Sequence, residues 1–183
     1  NDGRDGETGC ACRGRVFGDD SSNSEWDPLG SDIDGDNPFD QLGTSVSMSP
    51  EGNLVAAGAP GYDSGASDGD DIGLVRVFRL RYDPTRWEPR GSDITGEAPG
   101  DESGTSVSVS QTKVAIGAPY NNTSRGHVRV YKWKNSDDSW LRQGSDIDGD
   151  AEGDESGYSV SLSADDGSRL AIGAPNSTNS AGL

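Results

Sequence analysis

One segment is written three times along this chain of 183 residues. "FDQLGTSVSMSPEGNLVAAGAP" runs from Phe39 to Pro60, "GDESGTSVSVSQTKVAIGAP" from Gly100 to Pro119, and "GDESGYSVSLSADDGSRLAIGAP" from Gly153 to Pro175. A repeat of this length is too small to bury its own apolar face, so its neighbours must cover it. The closing prolines, Pro60, Pro119 and Pro175, lie 59 and 56 residues apart. Within the second copy the strand candidates are Gly104 to Ser110 ("GTSVSVS"), Lys113 to Pro119 ("KVAIGAP"), Gly126 to Trp133 ("GHVRVYKW") and Trp140 to Ile147 ("WLRQGSDI"). Apolar and polar residues alternate in these runs, which is the period of half-buried strands. Four short strands per repeat predict an all-β chain of four-stranded antiparallel blades, forming a β-propeller, part of one, or a stack of sheets.

Composition alone points the other way. Leu, Ile, Val and Phe make 29 of 183 residues and the formal net charge is −17, a combination typical of disordered chains. Periodicity overrules it, because the few apolar residues sit at strand positions. The 27 glycines, with abundant Asp, Asn and Ser, supply the turns between strands. Strong acidity without a basic patch argues against nucleic acid and anionic membranes as partners. No run approaches the ~18 apolar residues of a membrane span. The chain begins with Asn rather than Met, as expected of a chain that has lost a leader or of a piece of a longer one.

The segment "GTSVSVSQTKVAIGAP" resembles the FG-GAP repeat of integrin α-chain propellers, in a form similar to repeats of secreted stramenopile and diatom proteins. The resemblance spans Trp26 to Pro175 and rests on Trp, "GSDI", "GD-SG-SVS" and "IGAP" in fixed order. It implies a propeller and a structural or adhesive role outside the cell. Integrin-type repeats carry a cation loop between their first two strands. Here that hairpin is only "SPEGN", "SQTK" or "SADDGS", which departs from the family pattern.

The ends have matching registers. Phe17 to Trp26, Phe78 to Trp87 and Tyr131 to Trp140 each span nine residues, and Pro119 to Gly126 and Pro175 to Gly182 each span seven. The expected organisation is therefore a tail with a cysteine pair (1–12), a half-repeat holding the last two strands (13–38), repeat 1 (39–99), repeat 2 (100–152) and a half-repeat holding the first two strands (153–183). The N-terminal strands are expected to complete the C-terminal repeat, in cis or in trans. "RGRVFG" (Arg13 to Gly18) would pair with "RLAIGAP", and Val16 would take the place of Val77 and Val130. A three-bladed ring, a six-bladed ring of two chains, a head-to-tail fibre and a piece of a longer chain all satisfy this register.

Candidate sites follow from residue type. Asp32, Asp34, Asp36 and Asp40 in "DIDGDNPFD", and Asp146, Asp148, Asp150 and Asp154 in "DIDGDAEGD", offer the oxygen ligands Ca²⁺ needs. In the second copy Thr95 and Glu97 replace two of the aspartates. Gly falls fourth rather than sixth, so this is not an EF-hand loop. Plain turns capped by their own Asp side chains are the alternative. Asn121, Asn122 and Asn176 head sequons after the GAP motif, a surface position suited to N-glycans. Cys10 and Cys12 match neither a redox nor a zinc motif, and a bridge between them would be strained. They are expected to pair with another chain or domain in an oxidising compartment. His127, the single histidine, is expected at the surface. No nucleophile elbow or phosphate-binding loop is present, so the chain reads as non-enzymatic. Trp26, Trp87, Trp133 and Trp140 read as packing residues. The expected function is a secreted or cell-surface structural or adhesive module that assembles with like subunits, with glycans or cell-surface proteins as further partners. The rival is a carbohydrate-binding or carbohydrate-active propeller. The longest insertion, Gly61 to Gly73, is modest for a binding loop and favours the structural reading.

Overall fold

The computed structural model describes residues 12–20, 22, 24–65, 69–164 and 166–177. Among these the chain is all-β, in antiparallel sheets with no closed barrel. The N-terminal strands are β1 (Arg13–Gly14), β2 (Phe17–Asp20), β3 (Glu25–Pro28) and β4 (Ile33–Asp34). Two larger sheets follow. The first holds β5 (Ser45–Met48), β6 (Leu54–Ala59), β7 (Leu74–Tyr82), β8 (Thr85–Pro89) and β9 (Ile94–Thr95). The second holds β10 (Ser106–Val109), β11 (Lys113–Ala118), β12 (His127–Lys134), β13 (Ser139–Arg142) and β14 (Ile147–Asp148). The chain then forms the hairpin of β15 (Ser159–Leu162) and β16 (Leu170–Gly173).

The two larger sheets have one register. β7 pairs β6 along one edge and β8 and β9 along the other, and β12 pairs β11, β13 and β14 in the same way. Phe78 faces Val55 as Tyr131 faces Val114, and Leu80 faces Trp87 as Trp133 faces Trp140. The N-terminal strands reproduce one half of this pattern. Gly14 faces Ile33 as Val75 faces Ile94 and Val128 faces Ile147, and Asp19 faces Trp26 at the position of Leu80 and Trp87. β15 and β16 reproduce the other half, with Val160 facing Ile172 as Val107 faces Ile116.

Successive units pack in one direction. β10 lies against β5 and β6, and β15 lies against β10 and β11. The approach is close enough to require glycine. A Cβ on Gly58 would stand 2.0 Å from the Gly104 carbonyl oxygen, and one on Gly117 would stand 2.0 Å from that of Gly157. Serine hydroxyls stitch the same seam. Ser45 Oγ donates to Gly104 O at 2.7 Å and Ser106 Oγ donates to Gly157 O at 2.7 Å. Ser47 Oγ accepts the Val109 amide at 3.1 Å and Ser108 Oγ accepts that of Leu162 at 2.9 Å. The serines of "SVSxS" are therefore seam residues as well as strand patterning.

The burial follows the stacking. One core cluster joins Val16, Ile33 and Leu42 to Val55, Phe78 and Trp87. The other joins Val75, Val77 and Ile94 to Val107, Val114 and Ile116. Each cluster straddles two units, as expected when no unit can bury its own face.

Among the described residues the third repeat is not completed in cis: β16 pairs only β15, while β1 and β2 pair only β4 and β3. The physical reason is the order of packing, which sets the two half-sheets at opposite ends with the two larger sheets between them.

Candidate functional site: two uncovered sheet faces

At the N-terminal end, β5 is bare where its counterpart is covered. Val46 is 62% exposed and Met48 45%, whereas Val107 and Val109, at the same strand positions of the next unit, are buried. Gly14, Val16, Val46, Met48, Val55 and Ala57 line an apolar groove of about 120 Å³ at this place. Trp26 is 70% exposed, while its counterparts Trp87 and Trp140 are 6% and 8% exposed. Those two are fixed by the preceding unit. Trp87 Nε1 donates to Leu29 O at 2.8 Å, and Trp140 Nε1 donates to Arg90 O at 2.7 Å. Gly30 and Gly91 make room for the rings: a Cβ on Gly30 would lie 3.1 Å from Trp87, and one on Gly91 2.9 Å from Trp133 and 3.1 Å from Trp140.

At the C-terminal end the complementary surfaces are bare. Among the described residues nothing lies within 4 Å of a Cβ built on Gly144, the counterpart of Gly30 and Gly91. Beside it Trp133, Leu141, Arg142 and Gln143 help line a groove of about 330 Å³. Ile147 is exposed, unlike Ile33 and Ile94. Among the described residues the edge of β16 opposite β15 has no strand partner, although β6 and β11 are each paired on both sides.

Arginine–carboxylate bridges cross the junctions on either side of the first larger sheet, and sequence reasoning did not find them. Arg76 forks onto Asp93 at 2.7 and 2.6 Å and reaches back 2.8 Å to Asp36 of the preceding unit. Arg129 does the same, forking onto Asp146 at 2.6 and 3.0 Å and bonding Glu97 of the preceding unit. Arg15 occupies the same strand position and pairs Asp32 at 3.3 Å. The signal was legible in "RGRVF", "LVRVF" and "HVRVY", where an arginine recurs at one place in the third strand.

These ion pairs decide where the predicted cation ligands go. Asp32 and Asp34 are held by Arg13 at 2.9 and 2.8 Å, Asp36 by Arg76, and Asp146 by Arg129 and Arg142. Asp154 is buried and closes its own turn by accepting the Ala151 amide at 2.8 Å, as Asp101 accepts that of Ala98 at 3.1 Å. Asp40 is buried at that turn position too, accepts from Asn37 Nδ2 at 3.3 Å, and burial raises its pKa. Six of the eight aspartates thus serve turns and ion pairs, and Asp148 and Asp150 stand exposed. Among the described residues the one gathering of three metal-type side chains is Glu97, His127 and Asp146, whose ligand atoms lie within 4.8 Å of one another. Arg129 already bonds both of those carboxylates.

His127 is not at the surface as expected, but buried at 3% exposure. It occupies the place of Leu74, itself buried, and faces Ala118 of β11. Burial first, and then the Arg129 charge, lower its pKa. The Arg129 hydrogen bond lowers that of Asp146. Both effects destabilise the fold in acid. The unfolded chain protonates its histidine near 6.5 while folded His127 stays neutral, so stability is complete above that pH and falls as pH drops through the folded value. Asp146 adds a second loss below its ordinary 3.8. A thermal-unfolding series against pH should therefore show a first step below about 6.5 that His127→Asn lacks.

Asn122 and Asn176 are exposed, as an acceptor of glycan must be. Asn121 is half-buried and its Nδ2 donates to Asp101 at 3.0 Å, which favours Asn122 of the adjacent pair. Cys12 is a free thiol, half-buried, with Sγ donating to Pro38 O at 3.1 Å. Cys10 lies outside the described residues. No helix among the described residues is long and apolar enough to cross a membrane.

No protein-family model matches the chain, and no curated protein matches it. Among solved structures, it is similar to a putative 6-phosphogluconolactonase from Bacteroides uniformis ATCC 8492. That match has a TM-score of 0.37 and 13% identity, covering 81% of this chain and 53% of that one.

Proposed function

We propose that this chain is a non-enzymatic structural or adhesive module of the extracellular space. In this reading its units are FG-GAP-like, propeller-type blades, and it works by associating with like subunits through its two bare faces. The observation that carries the reading is that each face is the counterpart of the other. What β5, Val46 and Trp26 lack is the kind of surface that β16, Gly144 and Ile147 present. Open sheet edges are seldom left unpaired. The exposed sequon residues Asn122 and Asn176 suit a secreted chain carrying N-glycans.

Sedimentation and negative-stain microscopy of the purified protein test this. The expected result is concentration-dependent association into end-to-end multiples of the 19.1 kDa chain. A protein that stays monomeric at every concentration, yet binds oligosaccharides, would favour the carbohydrate-binding alternative and end this reading.

A further inference from the structure

We infer that the occupant of both faces is a second copy of this same chain, docked head to tail in the register of the internal junctions. This rests on the self-association reading above and goes further by naming the contacts. They follow from carrying each contact seen inside the chain forward by one unit.

β16 of the first copy takes β1 and β2 of the second along its free edge. Leu170 stands opposite Phe17, Ala171 opposite Val16, Ile172 opposite Arg15 and Gly173 opposite Gly14. The same register joins Val114 to Tyr131, Ala115 to Val130, Ile116 to Arg129 and Gly117 to Val128 inside the chain. Trp26 of the second copy lies over Gly144 of the first and donates its Nε1–H to the Gln143 carbonyl, as Trp87 does to Leu29 and Trp140 to Arg90. Arg15 of the second copy keeps Asp32 and reaches Asp150 of the first, as Arg76 holds Asp93 and Asp36. At the seam, Met48 N–H of the second copy meets Ser161 Oγ of the first, continuing the Val109–Ser47 and Leu162–Ser108 bonds.

Three features of the two faces fit a further unit of this repeat, and a second copy of the chain supplies one. Charge is complementary, since Arg15 is 57% exposed at one face and Asp150 is exposed at the other. Shape is complementary, since the most exposed of the four tryptophans faces out at one end and the uncrowded Gly144 lies at the other. Polar groups are complementary, because Ser159 and Ser161 repeat the residues that stitch both internal seams. Asp19, in place of Leu80 and Trp133, makes this junction more polar than the internal ones. The contact is heterologous, so it closes into a ring, as in a six-bladed ring of two chains, or runs on as an open array, according to the rotation from one copy to the next.

The test compares sedimentation of the full chain with Trp26→Ala, Arg15→Glu and Asp150→Arg, using circular dichroism to check that each variant is folded. Loss of a central aromatic anchor should weaken association by at least about 30-fold. Each charge reversal should weaken it about tenfold, and an equal mixture of the two reversed chains should associate like wild type, because the altered charges then meet. Tryptophan emission of the wild type should move to shorter wavelength as association proceeds, and this shift should be absent in Trp26→Ala. Association unaffected by any of the three changes overturns the inference but leaves self-association standing. A wild-type chain that stays monomeric at every concentration overturns both.

Discussion

Replacing Gly58 by alanine should unfold the seam between the two larger sheets. The added methyl would lie 2.0 Å from the Gly104 carbonyl oxygen and 2.9 Å from its carbon. That obstacle is backbone, so no rotamer change relieves it, and the sheets must move apart. Separation also breaks the Ser45 bond to Gly104 and exposes Val107 and Val109. We expect a loss of about 3 kcal/mol or more, read as a lower urea midpoint. Gly173 provides the internal control. It holds the same place in the hairpin of β15 and β16, yet the close contact of a Cβ there would be the Ser159 hydroxyl, which can rotate away, and no backbone atom among the described residues would lie nearer than 3.7 Å. Gly173→Ala should change the stability of the single chain by less than about 1 kcal/mol. Equal effects at the two glycines would mean that the close approach of neighbouring units is not what glycine serves.

Arg129→Met should be the most damaging loss of a charge. Its side chain is 10% exposed and bonds two carboxylates, Asp146 in its own unit and Glu97 in the preceding one. Methionine keeps the length and apolar stem but leaves both carboxylates without that partner, beside a buried His127. Breaking a buried pair from one side costs 3–5 kcal/mol. Glu97 is 45% exposed and Arg142 also holds Asp146, so we expect about 2–3 kcal/mol. Arg15→Met removes the equivalent side chain where it is 57% exposed, and should cost the single chain less than about 1 kcal/mol. Lysine at position 129 should recover only part of the loss, because it cannot fork onto Asp146 and reach Glu97 together.

Strand order was legible in the sequence because the repeat carries its own ruler, but the segment from Trp140 to Ile147, read as one fourth strand, divides into β13 and β14, which both pair β12 in a five-stranded sheet. The fixed spacing from aromatic to Trp placed Phe17, Phe78 and Tyr131 on equivalent strands, and the observed pairing of Asp19 with Trp26 follows it. Side-chain fate was less legible. His127 lies in a strand that alternates with polar residues, and alternation implies one wet face. β12 is covered on both faces at its start, where His127, Val128 and Arg129 are all buried. The better guide was Leu74, which occupies the same repeat position. The aspartate clusters were ambiguous for a chemical reason. A carboxylate in a glycine-containing loop serves a cation, an arginine or its own turn equally well, and the choice depends on where Arg13 reaches within its own unit and where Arg76 and Arg129 reach across the junctions.

Every junction in the chain runs in the same sense, from β5 to β10 to β15. Where the association proposed above stays open rather than closing into a ring, repetition of that sense gives the array two chemically different tips. One tip would present an indole and bare valine, the other a glycine platform and an open strand edge. Such an array has a direction, like a row of arrows. A single copy lacking the Trp26 ring would still receive a neighbour at its β16 edge but would itself dock onto another at least about 30-fold more weakly, so it would slow growth at one tip alone. Length control could then be exercised at either tip independently, by ligands with no chemistry in common.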